Sequence, residues 1–224
     1  QKILDIIKSE LLELKEKFND ARRTKLLDEE DSIIQTEDLI EEEKVVITAT
    51  YSGYVKKVPL ATYKQQRRGG RGVIGAETKE EDVIQNVFTT SNLNQLLFFT
   101  NKGRVHWLKA YEVPTGSRYA RGKAMVNLLR LRDGEKVSTI LPVAQFDEQH
   151  FITMVTKKGL VKKTSLKEFS NPRQGGIISI GLKDNDELVF ARLTSGSEEI
   201  LIGTKDGVAI RFSEQDVRPM GKSA

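Results

Sequence analysis

The spacing of apolar residues changes near residue 44 and divides the chain into a helical part and a β-rich part. Before that point, apolar residues recur every three or four positions and share one face of a helix: Ile3, Ile7, Leu11, Leu14 and Phe18. This pattern predicts an amphipathic helix over residues 1–26 that docks on a larger neighbour, followed by an acidic linker over residues 27–43.

After residue 44, short runs rich in β-branched and aromatic residues each end in a Thr, two turn residues and a Gly. A second short strand rich in Val and basic residues follows each Gly. A tight turn of this kind needs the positive φ that glycine adopts freely, so each unit is predicted to be a β-hairpin. The four turns are Thr50–Gly53, Thr100–Gly103, Thr156–Gly159 and Thr204–Gly207.

The turn glycines are 50, 56 and 48 residues apart, which indicates a supersecondary unit repeated along the chain. A repeat of this length made only of strands favours a propeller-like array. Further strand candidates raise the content to about four strands per repeat, as in a propeller blade; they are Val83–Thr89, Ala124–Leu129, Val137–Val143, Ile177–Leu182 and Leu188–Thr194. We therefore expect a mainly β domain of four-stranded blades over residues 44–224, with a fourth blade that is incomplete.

Both ends of the sequence are unusual for a whole protein. It begins with Gln1 rather than Met, and it stops just after the fourth hairpin. We expect an excised piece of a longer protein, in which a closed ring needs sequence beyond Ala224.

Charge is unevenly distributed, although the total is only +4. Residues 1–43 contain 7 basic and 14 acidic residues, whereas residues 44–224 contain 29 basic and 18 acidic residues. A basic β domain suits a polyanionic partner, nucleic acid first and an anionic membrane second. The sequence has no Cys and no His pair at metal-ligand spacing, so it offers no metal site. It also has no apolar run long enough to span a membrane and no signal-peptide pattern.

A basic, glycine-containing loop follows each hairpin. We name these loop one (residues 66–72), loop two (Ser117–Lys123), loop three (Asn171–Gly176) and loop four (Arg218–Lys222). Equivalent placement in every repeat predicts a row of positive charge around the array.

Loop one contains three Arg and three Gly residues. Arginine gives forked hydrogen bonds to phosphate, and glycine lets backbone N–H groups approach it closely. Such a loop suits a sequence-tolerant contact with a nucleic-acid backbone rather than base reading. A solvated flexible loop and an RGG-type RNA-binding segment are the alternatives. The G-x-G-x-x-G match at residues 70–75 follows no strand and opens no helix, so we discount a dinucleotide site.

All seven residues of loop one match the gyrase-A box, Q-[KR]-R-G-G-[KR]-G. With the preceding helix and the hairpin repeats, the chain resembles the C-terminal domain of DNA gyrase A over essentially its whole length. The resemblance implies a six-bladed β-pinwheel, whose neighbouring blades exchange strands and around whose basic rim duplex DNA bends. It also implies that the box supports this wrapping.

The resemblance implies partners and a location as well. The implied partners are double-stranded DNA, gyrase B and a second copy of gyrase A. The proteins form an A2B2 holoenzyme that uses ATP and Mg to introduce negative supercoils. The implied location is the cytoplasm, on the chromosome. The nucleophilic tyrosine belongs to an upstream domain, so this chain is expected to hold no catalytic residue and no cofactor. The alternatives are the C-terminal domain of the corresponding protein of topoisomerase IV, whose box is degenerate, and a protein-interaction propeller.

Two lysine pairs recur at one repeat position and are the next best phosphate contacts after the loops, unless they are ordinary solvated charge. We expect Tyr63, Tyr111 and Phe169 to pack between blades, Trp107 to pack beside its hairpin, and His106 and His150 to be structural or exposed. The predicted DNA-binding residues are Gln66, Arg67, Arg68, Gly69, Gly70, Arg71, Gly72, Lys56, Lys57, Arg118, Arg121, Lys123, Lys162, Lys163 and Arg173.

Overall fold

A computed structural model of the chain contains two compact units, Gln1–Leu39 and Ile40–Ala224. The described residues are 2–18, 20, 24, 36–63 and 82–222. Loop one, with the gyrase-A box, lies outside the described residues.

The first unit contains one α-helix, α1, at Lys2–Phe18, and a short 3-10 turn at Thr36–Leu39 among its described residues. Most of residues 19–26 of the predicted helix lie outside the described residues. Its apolar stripe is exposed, with Ile3 at 73% and Phe18 at 71% of their full accessibility. The helix therefore presents the apolar face that the sequence pattern predicted.

The second unit is built from short antiparallel strands. Their bounds are β1 Lys44–Thr50, β2 Tyr54–Pro59, β3 Ile84–Ser91, β4 Gln95–Thr100, β5 Arg104–Lys109, β6 Lys123–Ala124, β7 Val137–Val143, β8 Phe151–Thr156, β9 Val161–Ser165, β10 Ile177–Ile178, β11 Leu188–Thr194, β12 Glu199–Gly203 and β13 Ala209–Ser213.

The four predicted hairpins are confirmed as β1–β2, β4–β5, β8–β9 and β12–β13. In the second, the Gly103 N–H donates to the Thr100 carbonyl at 3.0 Å, and Gly103 has φ of +68°. The hydroxyl of Thr100 accepts the N–H of Arg104 at 3.3 Å, and the other three turns repeat this bond. Each turn begins with Thr because the Thr hydroxyl accepts this N–H and so closes the turn.

Blades one and two are each completed by a strand from the following repeat. The strand order is β3-β1-β2-β6 in blade one and β10-β5-β4-β7 in blade two. Within the described residues, blade three has the order β11-β8-β9 and blade four is the hairpin β12–β13. Since β6 follows loop two and β10 follows loop three, neighbouring blades exchange strands, as the pinwheel resemblance implied.

Two strands predicted from the sequence are much shorter than expected. The predicted strands Ala124–Leu129 and Ile177–Leu182 contribute only the two-residue strands β6 and β10. After β6, the Met125 N–H donates to the Gly53 carbonyl at 2.8 Å, and the chain turns into a 3-10 helix. Of the apolar residues that suggested long strands, Met125, Leu129 and Ile180 lie in the core between blades, whereas Val126 and Ile178 are exposed.

The core consists of two apolar clusters, and blade two separates them. Along β4, Leu96 and Phe98 point into the cluster shared with blade one, whereas Leu97 and Phe99 point into the cluster shared with blade three. All four side chains are fully buried. A strand covered on both faces needs a continuous apolar run rather than an alternating one, which explains the sequence of β4.

Loops two and three each press a glycine against the preceding blade. Gly122 has φ of +87°, and a Cβ there would lie 2.5 Å from the Val55 carbonyl oxygen. Gly176 has φ of +67°, and a Cβ there would lie 2.8 Å from the Val105 carbonyl oxygen. At both positions the close approach and the backbone conformation require glycine.

Gly122→Ala should lower the free energy of unfolding by about 2–5 kcal/mol, because it adds a steric clash to the cost of a positive φ. Gly134→Ala is the matched control, since Gly134 has φ of +73° with nothing within 4 Å of an added Cβ. The control should lose about 1–2 kcal/mol. Urea unfolding measures both, and equal losses would contradict the close approach at Gly122.

Candidate nucleic-acid interface

Loop two begins with a β-turn in which the Ala120 N–H donates to the Ser117 carbonyl at 3.1 Å. The chain then passes through Arg121 and Gly122 into β6, which pairs with β2 of blade one. Loop two therefore lies on the junction between blades one and two. It brings together three predicted site residues: Arg118, which is half-buried, and Arg121 and Lys123, which are exposed.

Arg121 is held in place by an aromatic ring of the preceding blade. Its guanidinium carbon lies 3.8 Å from the centroid of the Tyr54 ring. Stacking of this kind leaves the N–H groups around the guanidinium edge available to an anion. Sequence reasoning missed Tyr54, and the signal for it was its place directly after the turn glycine.

Lys56 holds loop two from below. Its residue is only 3% exposed, and its Nζ donates to the carbonyls of Ser117, Arg118 and Ala120 at 3.3, 2.6 and 2.7 Å. An ammonium group has three N–H donors, so these three carbonyls satisfy it completely. Lys56 therefore fixes the backbone of loop two.

Four residues after the turn glycine of each of the first three hairpins, a side chain donates a hydrogen bond to a 3-10 turn of the following blade. Lys57 Nζ donates to the Tyr111 carbonyl, and Lys163 Nζ donates to the Glu214 carbonyl at 2.8 Å. In blade two the equivalent residue is Trp107, whose Nε1–H donates to the Phe169 carbonyl at 3.0 Å. Trp107 thus has the same bonding role as the two lysines.

Lys162 repeats the position of Lys56 two blades later. Its Nζ donates to the carbonyls of Ser179 and Lys222 at 2.9 and 2.7 Å, and the residue is 4% exposed. Burial lowers the pKa of Lys162 to about 8. Burial also lowers the pKa of Lys56 and of Lys57.

Sequence spacing predicted Lys56, Lys57, Lys162 and Lys163 as phosphate contacts, with ordinary solvated charge on an exposed strand as the alternative, and the structure supports neither role. All four are buried, and their ammonium groups bond to protein carbonyls. The physical reason is strand exchange, because elements of the following blade cover β2 and β9 and surround these side chains. Sequence spacing located the repeated lysines correctly but could not show what covers them.

The junction between blades two and three is built differently. The Arg104 side chain donates from Nη2 to the Gly175 and Gly176 carbonyls at 2.6 and 2.9 Å. His106 occupies the position of Lys56 and packs against Gly176. Arg173 is exposed on loop three, apart from the three basic side chains of loop two.

His106 is structural, as one of the two expectations for it stated. Its Nε2 lies 3.0 Å from Glu135 Oε1, which also accepts the Thr100 hydroxyl at 2.8 Å. Burial alone would raise the pKa of Glu135, but hydrogen bonds from the Arg132 N–H, His106 and Thr100 lower it below its ordinary value. His150 is partly exposed beside Asp147.

The aromatic residues after the hairpins differ in their roles. Phe169 is fully buried and meets Phe99 edge to face, with ring centroids 6.0 Å apart, so the packing interpretation holds for it. Tyr63 and Tyr111 are only half-buried. Tyr111 contributes its carbonyl to the Lys57 bond.

The part of the chain that the structure describes shows no group of three or more His, Cys, Asp or Glu side chains placed to hold a metal ion. No helix within the described ranges is long and apolar enough to cross a membrane. Loops two and three present exposed guanidinium and ammonium groups on a braced backbone.

A family model described as DNA gyrase C-terminal domain, beta-propeller, matches residues 44–91, 94–144, 150–195 and 198–224, so that each match contains one of the four hairpins. The chain belongs to the DNA gyrase C-terminal domain family. This membership agrees with the mainly β fold, the exchanged strands and the repeat length.

Proteins similar to the chain include the DNA gyrase A protein of Halalkalibacterium halodurans, 49% identical over all of the chain and 27% of the relative. The DNA gyrase A protein of Staphylococcus aureus is 44% identical over 99% of the chain and 25% of the relative. The chain thus spans about a quarter of the length of these curated relatives.

Two solved structures also resemble it. The C-terminal domain of DNA topoisomerase IV has a TM-score of 0.69 and 29% identity, covering 82% of the chain and 56% of that structure. A DNA gyrase A C-terminal domain has a TM-score of 0.62 and 24% identity, covering 81% and 58%. The second likeness supports the fold alone.

Lys162 should make stability depend on pH. Because its pKa in the folded chain is about 8, against 10.5 ordinarily, the folded state releases this proton before the unfolded state does. Between pH 8 and 10.5 the unfolded state binds more protons, so this residue adds stability as pH rises. The free energy of unfolding of wild type minus that of Lys162→Met should therefore increase, by about 1 kcal/mol or more.

Urea unfolding of both proteins at pH 7.5 and pH 10 measures this difference. Lys167→Met is the control, because Lys167 is exposed and the hydrogen bond that its ammonium group donates to Glu148 raises its pKa instead. The corresponding difference for Lys167 should not increase over the same range. A Lys162 difference that falls as pH rises would contradict the prediction.

Proposed function

We propose that this chain is a DNA-binding and DNA-wrapping domain that bends duplex DNA around a basic rim without reading its sequence. The supporting observation is the family match over four repeats, together with an exposed, arginine-bearing loop at equivalent blade junctions. Guanidinium and ammonium groups on loops suit phosphate rather than base edges.

The proposed mechanism is electrostatic. Arg118, Arg121 and Lys123 neutralise phosphates at the first junction, and Arg173 does so at the next one. Bending a 20–30 base-pair stretch by 40–90° costs on the order of 1–6 kcal/mol, which several such contacts offset together. The loops are braced by the preceding blade, so their side chains meet the DNA from a fixed backbone. Loop one is proposed to complete this row through Arg67, Arg68 and Arg71.

The function of the whole protein follows from its relatives. We propose that the chain is part of a DNA gyrase A protein, which works with a second copy of itself and with gyrase B in the cytoplasm, on the chromosome. In that assembly, ATP and Mg are used elsewhere, and wrapping by this domain sets the direction of strand passage so that negative supercoils form. The high identity to proteins named as DNA gyrase A supports this proposal.

The C-terminal domain of the corresponding topoisomerase IV protein is the second candidate, because a solved topoisomerase IV domain is similar to this chain at a TM-score of 0.69. The seven box residues at 66–72 favour gyrase over this candidate. A propeller that binds proteins is the third candidate, and its rim would be mixed or apolar rather than basic.

DNA affinity should fall steeply with salt. Each neutralised phosphate contributes a slope of about 0.9 in log affinity against log salt concentration. The variant Arg118→Ala/Arg121→Ala/Lys123→Ala should therefore flatten the slope by up to about 2.7. The control is Lys8→Ala/Lys15→Ala/Lys17→Ala, which removes three charges from the separate helix α1. Fluorescence anisotropy with duplex DNA measures the slopes, and affinity independent of salt would contradict DNA binding through the loops.

Wrapping should bring the ends of a duplex together. Energy transfer between dyes at the two ends should increase when wild type binds a duplex long enough to follow the rim. Arg67→Ala/Arg68→Ala/Arg71→Ala should bind but lose most of that increase, because the wrap is no longer held at blade one. The helix variant with the same loss of charge should keep it. A wild-type complex with unchanged end distance would contradict wrapping by this chain.

A further inference from the structure

The carbonyl groups of loop two face inward. Those of Ser117, Arg118 and Ala120 all accept from the single buried Nζ of Lys56. In a trans peptide the C=O and the following N–H point in opposite directions. The N–H groups of Arg118, Tyr119 and Arg121 therefore point away from Lys56, toward the outer side of the loop.

These outward N–H groups have no acceptor among the described residues. The one internal backbone bond of the turn uses the Ala120 N–H, which donates to Ser117. Ser117, Tyr119 and Arg121 are exposed, so the outer side of the loop is open to solvent. Backbone N–H groups gathered in a short turn form a concavity that binds anions.

We propose that loop two is a backbone phosphate-binding nest, in which the N–H groups of Arg118, Tyr119 and Arg121 bind one phosphate of the DNA backbone. The Arg121 guanidinium, stacked on Tyr54, lies at the edge of this nest and adds a second contact. Lys56 is a positioning residue, because it turns the carbonyls inward without touching the DNA. The proposal rests on the proposed function and names how that site holds phosphate.

A buried lysine that donates to a loop carbonyl occurs again two blades later. The bridges Lys57–Thr115 and Lys163–Pro219 align loop four with loop two, and they place Lys222 at the position of Arg118. The Lys222 carbonyl accepts from Lys162, as the Arg118 carbonyl accepts from Lys56. A buried lysine that holds an inward carbonyl is therefore a repeated feature of the fold.

Loop three lacks this arrangement. Its strand β10 aligns with β6, which places Pro172 at the position of Arg118. Proline has no N–H, and His106 replaces the lysine beneath the loop. The Gly175 and Gly176 carbonyls accept from Arg104 Nη2 instead. Of loops two and three, only loop two thus has the nest, and loop three depends on the Arg173 side chain.

Amide NMR of the full 224-residue chain tests the nest, first with inorganic phosphate and then with a short duplex. In wild type, the amide signals of Arg118, Tyr119 and Arg121 should shift with both probes, whereas those of Arg173 and Gly175 should shift with DNA alone. A shift with phosphate alone would assign the nest to free phosphate and overturn its role in DNA binding. A shift with an acidic peptide but not with DNA would overturn it in favour of a protein ligand.

Two variants at one position separate backbone from side chain. Arg118→Ala removes the guanidinium and keeps the N–H, whereas Arg118→Pro removes both and suits the second position of a β-turn. Arg118→Pro should bind DNA about tenfold more weakly than Arg118→Ala, since one hydrogen bond to a charged group is lost. Lys205→Ala and Lys205→Pro, at the second position of the hairpin turn Thr204–Gly207, form a control pair that should not differ by this factor.

The outcomes separate the nest from the proposed function. Equal DNA affinity of Arg118→Ala and Arg118→Pro, with a steep salt dependence retained, would overturn the nest and leave DNA binding intact. Amide shifts with phosphate in a chain that fails to bind DNA at low salt would overturn the proposed function. Lys56→Met should abolish the phosphate shifts, while unchanged signals from β8 and β11 report that the fold persists. Retained phosphate shifts in Lys56→Met would overturn its positioning role.

Discussion

The fold depends on hydrogen-bond donors that the first three hairpins extend to the backbone of the next blade. Lys57, Trp107 and Lys163 differ in chemistry, yet each donates to a carbonyl in a 3-10 turn of the following blade. A backbone carbonyl is present whatever residue carries it, so the recipient sequence is free to vary. This explains how blades of different sequence keep one geometry, and why a Trp substitutes for a Lys.

The sequence predicted the hairpins well, because the Thr hydroxyl and the positive φ of Gly are local requirements. It also predicted the buried run of β4 as a strand. It did not predict that β6 and β10 would be two residues long, since their ends depend on contacts with the preceding blade. The burial of Lys56 and Lys162 was not predicted for the same reason. A lysine on a short strand suggests exposure, and only strand exchange shows what covers it.

The junction between blades one and two and the junction between blades two and three hold their loop backbones in different ways. At the first, a buried ammonium group draws three carbonyls inward. At the second, Arg104 Nη2 donates to the carbonyls of Gly175 and Gly176. In the proposed nest the first loop offers backbone donors to a ligand, whereas the second loop depends on the exposed Arg173 side chain. Equivalent loops of one domain therefore offer a polyanion different surfaces.

Strand exchange also has a consequence for the nascent chain. Strand β2 pairs with β6, so Val55 has no pairing partner until Lys123, about seventy residues later, has been synthesised. Val105 likewise has none until Ile177 has been synthesised. At a synthesis rate of about 5–20 residues per second, each open strand edge persists for several seconds. An unpaired edge invites pairing with another chain, and inward-pointing lysines discourage it. Lys56 and Lys57 on β2 thus protect, during translation, the edge that the finished blade later closes.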